Sequence, residues 1–152
     1  MYTKILVALD GSLLAEKGLE SALATAKQNP GSKLVLLTIL EASILRGPVS
    51  QEGSDYERLQ LQLKQDLEEV ARKYMNTLVA KYKSEGVDIQ VEVGWGGAGE
   101  EIVKFAENNQ IDLIVLTTRG RSGLKKFFLG SVAAKVISTS PVPVLVLPPD
   151  KR

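Results

Sequence analysis

The chain contains no histidine and no cysteine. These two absences exclude a Ser-His-Asp or Cys-His nucleophile, a Cys/His zinc site, a disulfide framework and a redox dithiol. They also remove the one side chain that titrates unperturbed between about pH 5 and 8. Acid–base chemistry is left to carboxylates, lysines, tyrosines or bound water. A cysteine-free chain agrees with a reducing compartment. Neither charge sign is in excess: 19 basic residues face 18 acidic ones, a formal net charge of +1. That balance argues against a dedicated nucleic-acid binder. No apolar run approaches the ~20 residues of a membrane helix. Near the start, Lys4 precedes only the short apolar run Ile5 to Leu9, less than the roughly 7–15 residues of a signal peptide. A cytoplasmic protein with no nucleic-acid partner and no membrane association is expected. The length, 152 residues, suits one domain able to bury roughly 68–70% of its unfolded surface.

Five β-type runs alternate with helical patterns. They cover residues 4–9, 33–40, 88–93, 112–116 and 142–147. Runs one, two and four are apolar almost throughout, as strands covered on both faces must be. Run three alternates Ile89, Val91 and Val93 with Gln90 and Glu92, which places it at a sheet edge. Helices are expected over 13–28, from about Tyr56 to Ser84, over 99–108 and over 131–138, the last stopped before Pro141. In the longest, Leu59, Leu63, Leu67, Val70, Tyr74 and Leu78 fall at helical spacing and read as its core face. Gly86 stands where a C-terminal cap belongs. Strict βα alternation predicts an α/β fold: a three-layer, open parallel five-stranded sheet with helices on both faces. The stretch 41–55 is the one long irregular segment, functional or mobile by its length.

Ligands of an open parallel sheet bind beyond the carboxyl ends of its strands, where the strand order reverses. Run one ends in Asp10, Gly11 and Ser12. Run four continues into 117–131, where Gly120 and Gly123 allow backbone N–H groups to converge on an anion. Gly130 and Ser131 then open a helix whose positive end favours phosphate. Arg119, Arg121, Lys125 and Lys126 make this loop basic, with no acid among them. Asp10 suits a ribose hydroxyl or a phosphate-bound Mg²⁺; Asp10 or Ser12 equally suits a helix cap. Gly94, Gly96 and Gly99 spell G-x-G-x-x-G, but Asp112 begins a strand where the dinucleotide fingerprint needs an acid at its end. Glu100 and Glu101 would also repel a pyrophosphate, so this motif reads as a Gly-rich turn. No P-loop motif is present. Trp95 reads as cover for apolar surface, and the four tyrosines offer no constellation.

The run from Lys4 to Ser12, the stretch Gly120 to Ile137 and the segment Ser140 to Val146 together resemble the universal stress protein family over essentially the whole chain. The resemblance implies a single domain over 1–152 with strand order 3-2-1-4-5, which puts the reversal between strands one and four. The ATP-binding branch of the family carries G-x-x-G, nine residues, then G-[ST]. Gly120 matches the second glycine and Gly130-Ser131 the end, while Thr117 replaces the first glycine. Carried over by position, the resemblance assigns Asp10 to ribose or Mg²⁺, and Gly120, Gly123, Gly130 and Ser131 to phosphates. Ala8, Ile39, Leu116 and Val132 would line the adenine and ribose pocket, with Thr117 and Arg119 near the triphosphate.

The resemblance also implies a homodimer through the C-terminal strand, whose Val142, Val144 and Val146 alternate with Pro143, Leu145 and Leu147. An apolar edge is relieved by such pairing, although Pro143 donates no ladder bond. The expected function is an ATP- and Mg²⁺-binding stress-response regulator, with 41–55 and 117–130 as switch segments. A slow ATP hydrolase and a nucleotide-free dimeric interaction protein of the same fold are the alternatives.

Overall fold

A computed structural model of the protein describes residues 1–45, 53–118 and 129–148. Strands β1 (Lys4–Ala8), β2 (Lys33–Leu40), β3 (Asp88–Trp95), β4 (Leu113–Thr117) and β5 (Val144–Leu147) alternate with helices α1 (Leu13–Lys27), α2 (Ser54–Tyr82), α3 (Ala98–Asn108) and α4 (Ser131–Thr139). The strands form one parallel sheet in the order β3-β2-β1-β4-β5. The reversal therefore falls between β1 and β4, as expected.

Strand alternation divides the core between two faces. Ile5, Val7, Leu34, Leu36, Leu113 and Val115 meet Ala15, Leu19, Ala22 and Leu23 of α1 and Met75 and Leu78 of α2. Leu6, Val35, Leu37, Ile114 and Leu116 meet Ile102, Val103 and Ala106 of α3 and Ala133 and Val136 of α4. Helices thus cover both faces of a three-layer α/β domain.

Several boundaries differ from the sequence reading, each for a local reason. β3 runs on to Trp95 because the Gly96 N–H still donates to Leu40 O, at 3.0 Å. β5 begins at Val144, leaving Val142 before the strand. There the Val142 N–H turns to the Ser140 hydroxyl at 3.2 Å, and Pro143 has no N–H for a ladder. Asp112 lies just before β4, with its N–H donating to Lys4 O. Residues 42–45 form a single 3₁₀ turn, and 46–52 of the expected irregular segment lie outside the described residues. Gly86, at φ +72°, closes the 3₁₀ turn that extends α2.

The largest departure is in α2. Its expected core stripe is buried only in the C-terminal half, at Leu78 beside Met75, with Leu67 and Tyr74 half-buried. Leu59, Leu63 and Val70 are 67%, 40% and 67% exposed. The reason is length. At 29 residues, α2 is about 43 Å long, whereas an eight-residue strand such as β3 spans only about 26 Å. The first half of the helix has no sheet to lie on.

Candidate nucleotide site

The turn leaving β1 is built by three consecutive residues. Gly11 takes φ +81°, a left-handed conformation that glycine adopts without a steric penalty. Asp10 Oδ1 accepts the Ser12 N–H at 3.0 Å. Ser12 in turn caps α1, its hydroxyl accepting the Ala15 N–H at 3.2 Å. The capping role falls to Ser12, and Asp10 stands exposed at the carboxyl end of β1.

On the neighbouring strand, Thr117 ends β4 and the buried Thr118 donates its N–H to Leu147 O at 3.0 Å. The sheet brings Ala8, Ile39 and Leu116 to the face covered by α3 and α4. Ala8 pairs with Leu37 on β2, one row from Ile39. Leu116 is buried, Ala8 and Ile39 half-buried, and Val132, in the first turn of α4, is 40% exposed. Thr117 takes the opposite face: its methyl group lies where a side chain on Gly18 of α1 would come within 3.5 Å. The side chain of Thr117 therefore packs on α1, on the far side of the sheet from Leu116.

The N-terminus of α4 completes the described part of the crevice. Gly130 occupies the cap position, Ser131 is the first helical residue, and no side chain caps this end. A Cβ built on Gly130 meets nothing within 4 Å. The first turn of α4 contains no acid, so its N–H groups and positive dipole end favour an anion. Arg119, Gly120 and Gly123 lie outside the described residues.

The Gly-rich turn behaves differently at each glycine. A Cβ on Gly94 would lie 2.7 Å from Ile39 Cδ1, and one on Gly99 2.7 Å from Lys135 Cγ. These glycines serve packing: Gly94 makes room for Ile39 at the crevice wall, and Gly99 lets α3 approach α4. Glu100 and Glu101 occupy the first turn of α3, and Glu100 pairs with Lys135 of α4 at 3.7 Å. Asp112 sits at the other end of the sheet, accepting from the Thr3 N–H and hydroxyl, both at 2.8 Å.

Two tyrosines tie helices together. Tyr74 donates to Glu16 at 2.9 Å and Tyr82 to Glu20 at 3.2 Å, tying α2 to α1. Burial, the bond to Glu16 and the charges of Glu16 and Asp10 push the Tyr74 phenol up to about 12. Trp95 donates to Glu68 at 2.6 Å, under Lys64, whose ammonium lies 5.6 Å from the ring centre. A shallow furrow lined by Gln65, Glu68, Glu69, Arg72, Lys73 and Asn76 runs between side chains of α2 alone and is separate from the crevice. Among the described residues, no helix is long and apolar enough to cross a membrane.

Comparison with known proteins agrees with this architecture. The model of the universal stress protein family matches residues 1–148. The universal stress protein MJ0531 of Methanocaldococcus jannaschii is 35% identical over 153 residues, an alignment covering 100% of this chain and 85% of that protein. The solved structure of MJ0577, from the same organism, superposes with a TM-score of 0.84 at 30% identity, covering 100% of this chain and 99% of the other. A universal stress protein solved in complex with cAMP shares the fold, with a TM-score of 0.65 at 22% identity, covering 96% of each chain. With its sheet order, its reversal point and a family match over nearly its full length, this chain belongs to the universal stress protein family.

Proposed function

We propose that the protein binds an adenine nucleotide, with ATP the favoured ligand, and acts as a stress-response regulator in homodimeric form. The observation that carries this reading is the segregation of side chains at the sheet reversal. Ala8, Ile39 and Leu116 offer an apolar wall on the α3/α4 face, beside a helix start free of acid and of side-chain caps. Thr117 packs on the opposite face and leaves that wall clear. The relative in complex with cAMP supports the same ligand chemistry, an adenosine carrying phosphate. On this reading Asp10 meets the ribose or metal, Val132 borders the sugar, and Gly120, Gly123, Gly130 and Ser131 receive the phosphates with Arg119.

The donor set fits Mg²⁺ only in company with the nucleotide. Among the described residues there is no group of three acidic, His or Cys side chains able to hold a metal. Mg²⁺ usually takes one or two carboxylates together with substrate phosphates and water, and Asp10 would supply a carboxylate at the carboxyl end of β1. Bound there, the ion would neutralise phosphate charge. Dimerisation is assigned to β5, the last strand of the sheet. Val144 and Val146 are half-buried within one copy, and pairing would complete their burial.

Titration calorimetry with ATP, with and without Mg²⁺, tests the binding, together with analysis of nucleotide released from denatured purified protein. Saturable binding that is strengthened by Mg²⁺ and lost in Asp10→Ala is expected. No released nucleotide and no binding at millimolar ATP would overturn the proposal.

A further inference from the structure

Half of α2 overhangs the sheet with its apolar side chains in solvent, and we propose that this half is an antiparallel docking surface for α2 of a second copy of the same chain. Leu59, Leu63 and Val70, four and seven residues apart, fall on one face of the helix. They are 67%, 40% and 67% exposed. The face lies on the α1 side, because Tyr74, one turn below Val70, bonds to Glu16 of α1. Leu13, which opens α1, is itself 81% exposed.

The charges around this stripe choose the occupant. Two copies related by a two-fold axis close to Leu63 set Leu59 against the partner's Val70, twice over. The same register sets Asp55 beside the partner's Lys73, and Arg58 beside the partner's Glu69, again twice each. All four charged residues lie on one flank of the stripe and are exposed, and each meets its opposite in sign. A parallel two-fold pair would instead carry this flank to opposite sides of the contact, and neither pair would form. Asp66, the acid within the stripe, already accepts from Gln62 Nε2 at 2.8 Å. The pattern is therefore self-complementary, as an isologous contact requires.

One helix pair buries less than the ~800 Å² per partner of a standard interface. The contact is accordingly weak, and it joins chains or dimers at high concentration. It differs from the β5 edge in position and in residues, so its test does not depend on nucleotide binding or on β5 pairing.

The cysteine-free chain allows a direct experiment. Leu63→Cys and Val70→Cys chains, both altered on the surface, are mildly oxidised at about 100 µM, a concentration suited to a weak contact. Near the two-fold axis, Leu63→Cys is expected to form a disulfide dimer at least about ten-fold faster than Val70→Cys, whose neighbour is the partner's Leu59. Lys73→Glu should slow the Leu63→Cys cross-link about ten-fold, and adding Asp55→Lys should restore it. Equal cross-linking at both positions shows random or parallel encounters and overturns the proposal. Absence of cross-linking at either position, which leaves the stripe to another occupant, also overturns it. So does a Lys73→Glu effect that Asp55→Lys fails to reverse.

Discussion

Tyr74 of α2 donates its phenolic hydrogen to Glu16 of α1 at 2.9 Å, one of two tyrosine–glutamate bonds joining these helices. Burial first, then the bond and charge of Glu16, then the charge of Asp10, raise this phenol from 10.0 to about 12. A folded-state pKa above the unfolded one favours the protonated form in the native protein. The resulting stabilisation is fully present below the unfolded value of 10.0 and fades as the pH climbs through about 12. Ultraviolet difference absorbance should show a late tyrosine phase near pH 12, and that phase should vanish in Tyr74→Phe. The stability difference between wild type and Tyr74→Phe should shrink across the same alkaline window in urea titrations.

Thr117 separates two readings of the crevice. Its methyl packs toward Gly18 on the α1 face, so the side chain is turned away from Leu116. Thr117→Gly is expected to leave nucleotide affinity within about three-fold, less than 1.4 kcal/mol. It should lower stability by about 1 kcal/mol, through strand entropy and a lost methyl contact. Calorimetry on both proteins checks this. Binding by the glycine variant alone would instead assign the natural chain to a nucleotide-free branch.

The strands were legible because β1, β2 and β4 are continuous apolar runs, and the Asp10-Gly11-Ser12 turn was legible because its residue types suit caps and tight turns. The order of the strands was not. Parallel neighbours are set by tertiary packing rather than local pattern, and the order followed from the resemblance of the two chain ends to a known family. The helical period of α2 was also plain, yet it misplaced the core. Leu59 and Leu63 repeat like buried residues, but periodicity reports a face without saying what covers it. Side-chain pairs such as Tyr74–Glu16 and Trp95–Glu68 join residues 58 and 27 positions apart, beyond the reach of any local pattern. Local chemistry was legible at two helix starts, at Ser12, which caps α1, and at Gly130-Ser131, where α4 begins.

Gly97 and Gly99 are neighbours in sequence with opposite tolerance. Gly97 caps α3 at φ −74° without a side-chain bond, and a Cβ there reaches only Glu100, at 3.6 Å. Gly97→Ser supplies the missing cap and should stabilise the protein by about 0.5 kcal/mol. A Cβ on Gly99 would lie 2.8 Å from Lys135 Cβ, an atom fixed to the α4 backbone, so Gly99→Ala must push the helices apart. The helix propensity gained, about 1 kcal/mol, offsets only part of an overpacking cost of about 1–3 kcal/mol. Thermal melts should move in opposite directions for the two variants. Nucleotide affinity should fall only for Gly99→Ala, because α4 carries the proposed phosphate site.

Asp112 provides the control that separates folding from binding. It accepts from the Thr3 N–H and hydroxyl, both at 2.8 Å, and from the Lys4 N–H at 3.2 Å. It thereby fastens the start of β1 to the start of β4. Asp112→Ala removes the acceptor for all three donors. These donors are partly exposed and regain water, so the cost should be about 1–2 kcal/mol, below that of a fully buried site. Because the parallel strands run from Asp112 toward Thr117, the carboxylate lies at the end of the sheet opposite Asp10 and the start of α4. Urea denaturation should show the loss of stability, while nucleotide affinity below the transition stays at the wild-type value. A fall in affinity without loss of stability would instead place the acid of the Gly-rich fingerprint at the nucleotide, reversing the assignment of the crevice to the β1–β4 reversal.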